Sequence, residues 1–372
     1  MTKSFWRGKR VLVTGHTGFK GGWLVFWLRE MGAEVAGIGL PPSSQPSLFD
    51  LLQIQDHCLS TIGDINELGV LDSLIRSFEP EVIIHMAAQA LVRQSYVDPV
   101  GTYETNVVGV VRLLDSARRS TALRSIVVVT SDKCYENREQ IWGYREGDHL
   151  GGHDPYSGSK GAAEIAAQSM QRSFFRPFAK DGHPARIATV RAGNVIGGGD
   201  WSVDRLVPDI VRGILTDNGE VFLRNPGAIR PWQHVLEPLS AYLRIAELLE
   251  TGPQSVDEAW NIGPDFDDMR TVADVTQALI KAFGKGRIVT RPIPGQPHEA
   301  NLLTLDCTKA KIKLKWQSRL HFEDCVRLTA DWYSAWYGGS DVAAFTRLQL
   351  AQFEEMDQGP VLHSPHPRHE AL

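Results

Sequence analysis

The chain has 372 residues, 42% of them hydrophobic, with a formal net charge of −5 carried by both signs along its length. A chain this long can bury a large core without disulfide or metal staples, and reads as one large α/β unit or two intimately packed domains. Dispersed charge excludes a broad nucleic-acid surface, and no apolar run is long enough to span a bilayer. Cys58, Cys134, Cys307 and Cys325 lie too far apart for a C-x-x-C pair, and no His stands at metal-ligand spacing. With no secretory pattern before Val11, the expectation is a cytoplasmic protein with free thiols, no resident metal, and no nucleic-acid or membrane partner.

The run from Lys9 to Thr14 predicts a short buried strand. Gly15-His16-Thr17-Gly18-Phe19-Lys20-Gly21 follows at once, and then a helical pattern carrying Trp23, Leu24, Phe26, Trp27 and Leu28. Strand, glycine turn and helix together form a phosphate cradle, because glycines admit close backbone approach and a helix amino terminus offers free N–H groups to an anion. A glycine turn can also serve only the packing of helix on strand, but its place after the first strand favours the cradle, with Gly15, Thr17, Gly18, Phe19 and Gly21 against a dinucleotide. The second strand, Glu34 to Leu40, ends in Leu40-Pro41-Pro42, with no carboxylate for ribose hydroxyls and no arginine for a 2′-phosphate. That pattern favours NAD over NADP and implies a less firm hold on it.

Gly63-Asp64-Ile65-Asn66 follows a short strand containing Thr61-Ile62, and Asp64 is either a turn former or a ligand contact. Glu81 to His85 is a strand running into Met86-Ala87-Ala88-Gln89-Ala90, whose small residues let a dinucleotide lie against the backbone; His85 reads as a packing residue. Thr105 to Gly109 belongs to a helix with Val107, Val110, Val111 and Leu114 apolar, and Asn106 within it is read as bracing the active-site strand.

The β-branched run Val127-Val128-Val129 stops abruptly in Thr130-Ser131-Asp132-Lys133-Cys134-Tyr135, as a buried parallel strand does when its carboxyl end delivers polar groups to a crevice. Tyr156-Ser-Gly-Ser-Lys160 follows. A helix beginning near Tyr156 puts Tyr156 and Lys160 on one face, and an ammonium beside a phenol favours the phenolate, which makes Tyr156 a candidate general base. Tyr-x-x-x-Lys occurs by chance in many proteins; what supports it here is its order after a phosphate cradle and a polar strand end. The helix continues through Ala163, Ile165, Ala166 and Met170.

Ile187 to Arg191 is the next strand, and its exit, Ala192 to Trp201, is glycine-rich enough to suit a mobile substrate-binding loop. From there a smaller substrate domain interleaves with the first. Arg205-Leu206-Val207-Pro208 begins a helix, Val221 to Leu223 is a strand, and Ala228 to Val235 crosses back toward the crevice. Arg205 and Arg230 are the natural diphosphate clamps, since a guanidinium offers bidentate donors, while Arg224 and Arg244 read as solvated surface. Asn261, at the end of Trp260-Asn261-Ile262, stands within reach of the same diphosphate. Thr271 to Phe283 and Asp324 to Tyr337 are amphipathic helices. The expected division is 8–192, with a return segment at about 230–262, as the dinucleotide-binding part, 193–229 and 263–340 as the substrate part, and 359–372, with His363, His366 and His369, as a disordered tail.

Together these motifs resemble the extended short-chain dehydrogenases that modify nucleotide sugars, and within them the 4,6-dehydratases that act on CDP-glucose, from Arg10 to Tyr337. The carriers are Gly15-x-x-Gly18-x-x-Gly21, His85-Met-Ala-Ala-Gln89, Thr130-Ser-Asp-Lys-Cys-Tyr135, Tyr156-Ser-Gly-Ser-Lys160, Arg191-Ala-Gly-Asn194-Val-Ile-Gly-Gly-Gly-Asp200-Trp201 and Arg230-Pro-Trp-Gln-His234-Val235. The resemblance implies a Rossmann-type doubly wound parallel sheet with a smaller interleaved C-terminal substrate domain, NAD as cofactor, and a homodimer built through a four-helix bundle. It implies cofactor contacts at Asp64, Ile65, Ala87, Ala88, Gln89 and Asn106, and substrate contacts at Gln89, Asn194, Arg205, Arg230 and Asn261. Tyr156, Lys160 and Ser131 would oxidise the sugar at C4, Asp132 would be the acid, and Lys133 would stand where members acting on dTDP-glucose usually carry a glutamate base. A 4-epimerase or reductase would use the same Ser131, Tyr156 and Lys160 and give Asp132-Lys133 no task. A 4,6-dehydratase of another nucleotide sugar and a non-catalytic NAD-binding scaffold are the remaining readings.

Overall fold

The structure, a computed structural model, describes residues 2–177, 179–215, 219–290 and 301–356, so the tail expected at 359–372 lies outside the described residues. Seven strands form one parallel sheet: β1 Arg10–Thr14, β2 Glu34–Gly39, β3 Leu59–Ile62, β4 Val82–His85, β5 Ser125–Val129, β6 Arg186–Ala192 and β7 Ala259–Ile262. Their order is β7-β6-β5-β4-β1-β2-β3. The chain therefore reverses its direction of growth between β1 and β4, and a doubly wound sheet opens its ligand crevice at such a switch point, beyond the strands' carboxyl ends.

The two-residue period of a strand separates the two cores. Val11, Val13, Val82, Ile84, Val127 and Val129 face one side, against Trp23 to Leu28 of the helix Phe19–Glu30 and Leu236 to Leu249 of the helix Leu236–Thr251. Leu12, Ile83, Ile126 and Val128 face the other, against Val110 to Ala117 and against Ala163 and Ala167 of the helix Pro155–Phe174. The first core does not stop at the sheet. It runs on through Val207, Ile210, Val221, Leu223, Val275 and Leu279, so the later part of the chain shares one apolar interior with the Rossmann part. That later part holds the helices Leu206–Leu215, Val272–Phe283 and Phe322–Tyr337, and a strand pair, Glu220–Leu223 with Arg287–Thr290. A last helix, Val342–Glu355, buries Phe353 against Trp27, whose indole N–H donates to Glu354 at 2.9 Å.

Two local features differ from the sequence expectation. The helix expected around Val107 begins as Pro99–Tyr103 and passes through a π-turn over Glu104–Val108 before continuing as Gly109–Ala117. Such bulges often mark functional sites, and this one carries Asn106. The glycine-rich exit from β6 is a packed segment, not an open loop. Val195–Ile196 pairs with Gln233–His234, the indole of Trp23 donates to the Gly198 carbonyl at 2.9 Å, and a Cβ on Gly198 would fall 2.0 Å from the Trp332 ring. Its glycines let backbone approach aromatic rings.

A backbone approach as tight sits under the future site: a Cβ on Gly21 would lie 2.1 Å from the Gly15 carbonyl oxygen. Gly21→Ala should therefore lower stability by about 1–3 kcal/mol or more in chemical denaturation. Gly63→Ala, where the added carbon meets nothing within 4 Å, should change it little. Equal effects would show that helix and strand can separate here at no cost.

Candidate active site

A crevice of about 830 Å³ opens where the switch point predicts it. Its first wall is the glycine turn. Gly15 has φ +77° and lies against the Ala87 backbone, where a Cβ would meet the amide nitrogen at 2.9 Å. Thr14 at the end of β1 accepts from the backbone N–H groups of Met86 and Ala87, both at 3.1 Å, which fixes the β4 exit beside the turn. The helix Phe19–Glu30 starts at Gly18 with no side chain capping it and no acid in its first turn, so its amino terminus faces the crevice as an open anion site. Gly15, Thr17, Gly18, Phe19, Gly21, Asp64, Ile65, Ala87, Ala88 and Gln89 all line the crevice. A dinucleotide fits this wall: the glycines leave room that a Cβ would fill, and the uncapped helix end suits a diphosphate. Asp64 is also a turn former, accepting from Asn66 N–H at 2.8 Å. At the β2 end the lining is Leu40, Pro41, Pro42, Ser43 and Ser44, with hydroxyls in place of the usual acid.

Asn106 does not line this wall. It is buried, accepts from Gln89 N–H at 2.9 Å, and donates to the Gln89 carbonyl and to Ser159 Oγ at 3.0 and 2.9 Å. It braces the β4 exit to the helix Pro155–Phe174, as its buried place in an apolar helix suggested, and is not positioned as a cofactor ligand. The Gln89 amide is also engaged, donating to Thr102 Oγ1 and accepting from Leu91 N–H.

The second wall is the β5 exit. Ser131 caps a single 3₁₀ turn, Asp132–Cys134, accepting from Lys133 N–H at 3.2 Å and donating to Asp132 Oδ1 at 2.9 Å. The other Asp132 oxygen is buried without a partner. Burial raises the Asp132 carboxyl above its usual range, opposed by Lys133, Ser131 and Arg230. Asp154 caps the helix Pro155–Phe174, accepting from Ser157 N–H at 2.9 Å, and Pro155 occupies its first position, so Tyr156 and Lys160 share a face as expected. Their charge relation differs from expectation. Burial raises the Tyr156 phenol, and the chief groups lowering it are Ser131 and Arg205. The Lys160 ammonium lies 5.9 Å from the Tyr156 ring centre, and burial followed by repulsion from Lys20 pushes its pKa down to about 8.

Lys20 is the residue that the sequence reading missed. It lines the crevice, and burial and Arg205 push its pKa down to about 8 against the pull of Asp132. A cation in the first turn of a helix opposes the helix dipole, and that misfit was the available signal. His85 behaves as the packing residue expected, bonded to Thr14 Oγ1 at 2.7 Å and pushed by burial to about 3.

The remaining wall carries Asn194, Arg205 and Arg230. Arg205 is exposed and donates to the Ala90 carbonyl at 2.8 Å; Arg230 is buried and reaches Asp132 electrostatically. Asn261 is elsewhere. It is fully buried, accepts from the Tyr135 hydroxyl at 2.7 Å, and donates to the Tyr144 and Asp306 carbonyls, so its amide is spent inside the fold and does not reach the crevice. The reason is its parity on β7: Trp260 and Ile262 enter the first core, and Asn261 between them turns toward Tyr135 and Tyr144. Among the described residues no cluster of His, Cys, Asp and Glu could hold a metal, and no helix is long and apolar enough to cross a membrane.

Comparison with known proteins agrees with this geometry. The profile of the family described as GDP-mannose 4,6 dehydratase matches residues 12–329. A CDP-glucose 4,6-dehydratase from Salmonella typhimurium is 46% identical over 351 residues, 94% of this chain and 98% of that protein. A dTDP-glucose 4,6-dehydratase from Streptomyces antibioticus is 29% identical, over 88% of this chain and 94% of the relative. Among solved structures, a dTDP-glucose 4,6-dehydratase from Bacillus anthracis in complex with NAD superposes with TM-score 0.72 at 23% identity, covering 88% and 96% of the two chains. A UDP-glucose 4-epimerase from Stenotrophomonas maltophila with bound NAD gives 0.76 at 21% identity, covering 89% and 100%. These two likenesses speak to the fold.

Proposed function

The chain belongs to the family of the GDP-mannose 4,6-dehydratases, extended short-chain dehydrogenases, and from that premise we propose that it converts CDP-glucose to CDP-4-keto-6-deoxyglucose with NAD. It is a hydro-lyase of nucleotide sugars. The observation that carries the dehydratase reading over an epimerase is the Asp132 carboxyl, raised by burial, with one oxygen unpartnered beside Lys133 on the crevice wall. The nucleobase is supported by the 46% identity to the Salmonella CDP-glucose enzyme.

The glycine turn and the helix end at Gly18 would hold NAD, which would supply the hydride chemistry at C4 and C6. The chain's own groups handle the protons. Tyr156 takes the proton of the C4 hydroxyl, and Ser131 donates a hydrogen bond to the oxygen that becomes a carbonyl. Burial raises the phenol while Ser131 and Arg205 lower it, and a positively charged dinucleotide held beside it would join those two in favouring the ionised form. Once C4 is a ketone, the C5 proton is acidic. Lys133, neutral when it acts, removes that proton; Asp132 gives its proton to the C6 hydroxyl; water leaves, and a double bond joins C5 and C6. Arg205 and Arg230 hold the diphosphate.

A homodimer is supported by the apolar surface on the helices flanking this site. Tyr103, Val108, Val111, Ile165 and Phe174 are 36–59% exposed on Pro99–Ala117 and Pro155–Phe174, the segments from which a twofold four-helix bundle would be built. Sedimentation should therefore give twice the chain mass, and a monomer would contradict the bundle. The four cysteines are unpaired, which fits a reducing, cytoplasmic setting.

Incubation with CDP-, dTDP-, UDP- and GDP-glucose should give a 4-keto product from CDP-glucose, without net reduction of NAD. Activity should depend on added NAD, since Leu40 stands where an acid usually holds the ribose. Stoichiometric reduced dinucleotide during full turnover would identify a simple dehydrogenase instead.

The residue roles separate by step. Tyr156→Phe should abolish even the single-turnover appearance of reduced dinucleotide. Asp132→Asn should retain that signal and stall before elimination. Lys133→Met should block elimination and suppress exchange of the C5 proton with solvent. C5 exchange at the parent rate in Lys133→Met would remove Lys133 from the base role.

A further inference from the structure

Beneath the reaction centre lies a buried ion pair that the chemistry above does not use. Glu164 stands on the helix Pro155–Phe174, one turn past Lys160 and two past Tyr156, with its side chain 0% exposed. One carboxylate oxygen accepts from Thr130 Oγ1 at 2.5 Å; the other accepts from Thr189 Oγ1 at 2.7 Å and from the Arg191 guanidinium at 2.8 Å. Arg191, on β6, is 1% exposed and donates onward to the Tyr135 hydroxyl at 2.7 Å, with its guanidinium 4.9 Å from the Tyr135 ring centre. The Tyr135 hydroxyl donates to Asn261, and its ring stacks on Tyr144 at 5.1 Å.

Thr130 and Tyr135 are the two residues that bracket the turn Ser131–Cys134. Both ends of the turn are thus tied to one carboxylate–guanidinium pair, and the carboxylate rides on the helix that carries Tyr156 and Lys160. Neither Glu164 nor Arg191 lines the crevice, so neither touches substrate. We propose that Glu164 and Arg191 are positioning residues for the elimination step: they hold the Asp132-Lys133 turn in register with the Tyr156-Lys160 helix, so that acid and base meet C6 and C5 of the sugar that Tyr156 has oxidised at C4.

This role rests on the dehydratase reading, and it predicts an asymmetry that simple structural cement does not. The helix itself sets the spacing of Tyr156 and Lys160, so cutting the turn's ties costs C4 oxidation only the share that Ser131, at the head of the turn, contributes. The larger loss falls on elimination, both of whose groups sit on the turn.

The test uses the full-length enzyme and CDP-glucose. Tyr135→Phe removes the hydroxyl that Arg191 holds while keeping the ring stack. Thr130→Val removes the hydroxyl that Glu164 holds at nearly constant shape, and Thr130→Ser restores it. Both Tyr135→Phe and Thr130→Val should lose roughly 10–100-fold in kcat, the scale of a small misplacement of reacting groups. KM should stay near the parent value, reduced dinucleotide should still appear in a single turnover, and C5 exchange should slow; Thr130→Ser should recover most of the rate. Should Thr130→Val lack a cooperative melt, Tyr135→Phe, which leaves the ion pair whole, decides. The proposal is overturned if kcat stays within about twofold of the parent, or if oxidation and elimination fall by the same factor. It is also overturned if only the melting temperature drops. A parent enzyme that makes no 4-keto sugar overturns the dehydratase reading and this role with it, a result distinct from an active parent with unaffected variants.

Discussion

Two opposite charges with almost no access to water, Glu164 and Arg191, set the constraint on which the active site depends. A carboxylate or guanidinium in a dry interior is tolerable only when paired and hydrogen-bonded, and removing one partner of such a pair costs roughly 3–5 kcal/mol. Here both carboxylate oxygens accept hydrogen bonds, from Thr130, Thr189 and Arg191, and the guanidinium donates onward to Tyr135, groups drawn from β6 and from the exit of β5. The helix Pro155–Phe174 therefore cannot slide along the sheet without stranding a charge. Its register against the strand ends is fixed by electrostatics as much as by packing. Asn106 adds a neutral tie of the same kind, joining that helix at Ser159 to the β4 exit at Gln89.

Above this fixed floor the crevice is crowded with cations. Lys20, Lys133, Lys160, Arg205 and Arg230 line it around the Asp132 carboxyl. Lys20 and Lys160 are each pushed to about 8, chiefly by burial, with repulsion from Arg205 and from Lys20 respectively adding to the shift. Anions relieve that crowding: an opposite charge nearby favours the protonated lysine, so two diphosphates would stabilise the charges that burial disfavours. Asp132 responds the other way. Burial favours its protonated form, which is the form that can give a proton to a leaving hydroxyl. Burial thus disfavours charge on Lys20, Lys160 and Asp132 alike, and ligand charge decides which of them recovers it.

Much of this was legible in the chain because the signals are local. The buried strands announce themselves as Val/Ile runs, the glycine turn by its spacing, and the Tyr156-Lys160 helix by its period. Asp154-Pro155 is a cap and first-turn signal of the same local kind, and it marks where that helix begins. What was not legible depends on which way a side chain points once the sheet has formed. Asn261 reads from its strand end like a ligand contact, yet the parity of β7 turns it toward Tyr135 and Tyr144. Asn106 reads as a brace from its apolar helix, but the π-turn that carries it beside the β4 exit is one that no local pattern predicts. The glycines from Gly197 to Gly199 look like a mobile loop in sequence, but side chains distant in the chain explain them: Val235 against Gly197, the Trp332 ring against Gly198 and Leu48 against Gly199. Glu164 lies eight residues past Tyr156 on a helix already credited with one pair, and only the partners from β5 and β6 reveal its place.

Epimerases and dehydratases superpose on this chain about equally well, with TM-scores of 0.76 and 0.72, so the fold leaves the reaction open. The cradle, the Ser131 hydroxyl and the Tyr156-Lys160 pair are common needs of any enzyme that oxidises a sugar at C4. The difference must lie in groups that act after oxidation, and the turn Asp132–Cys134 is where the crevice offers them. An epimerase needs the keto sugar free to turn over and present its other face. A dehydratase needs it held still while a proton leaves C5 and a hydroxyl leaves C6. A turn anchored at both ends to a buried ion pair, with an acid on it whose burial favours the proton-bearing form, suits the second demand and would be wasted on the first.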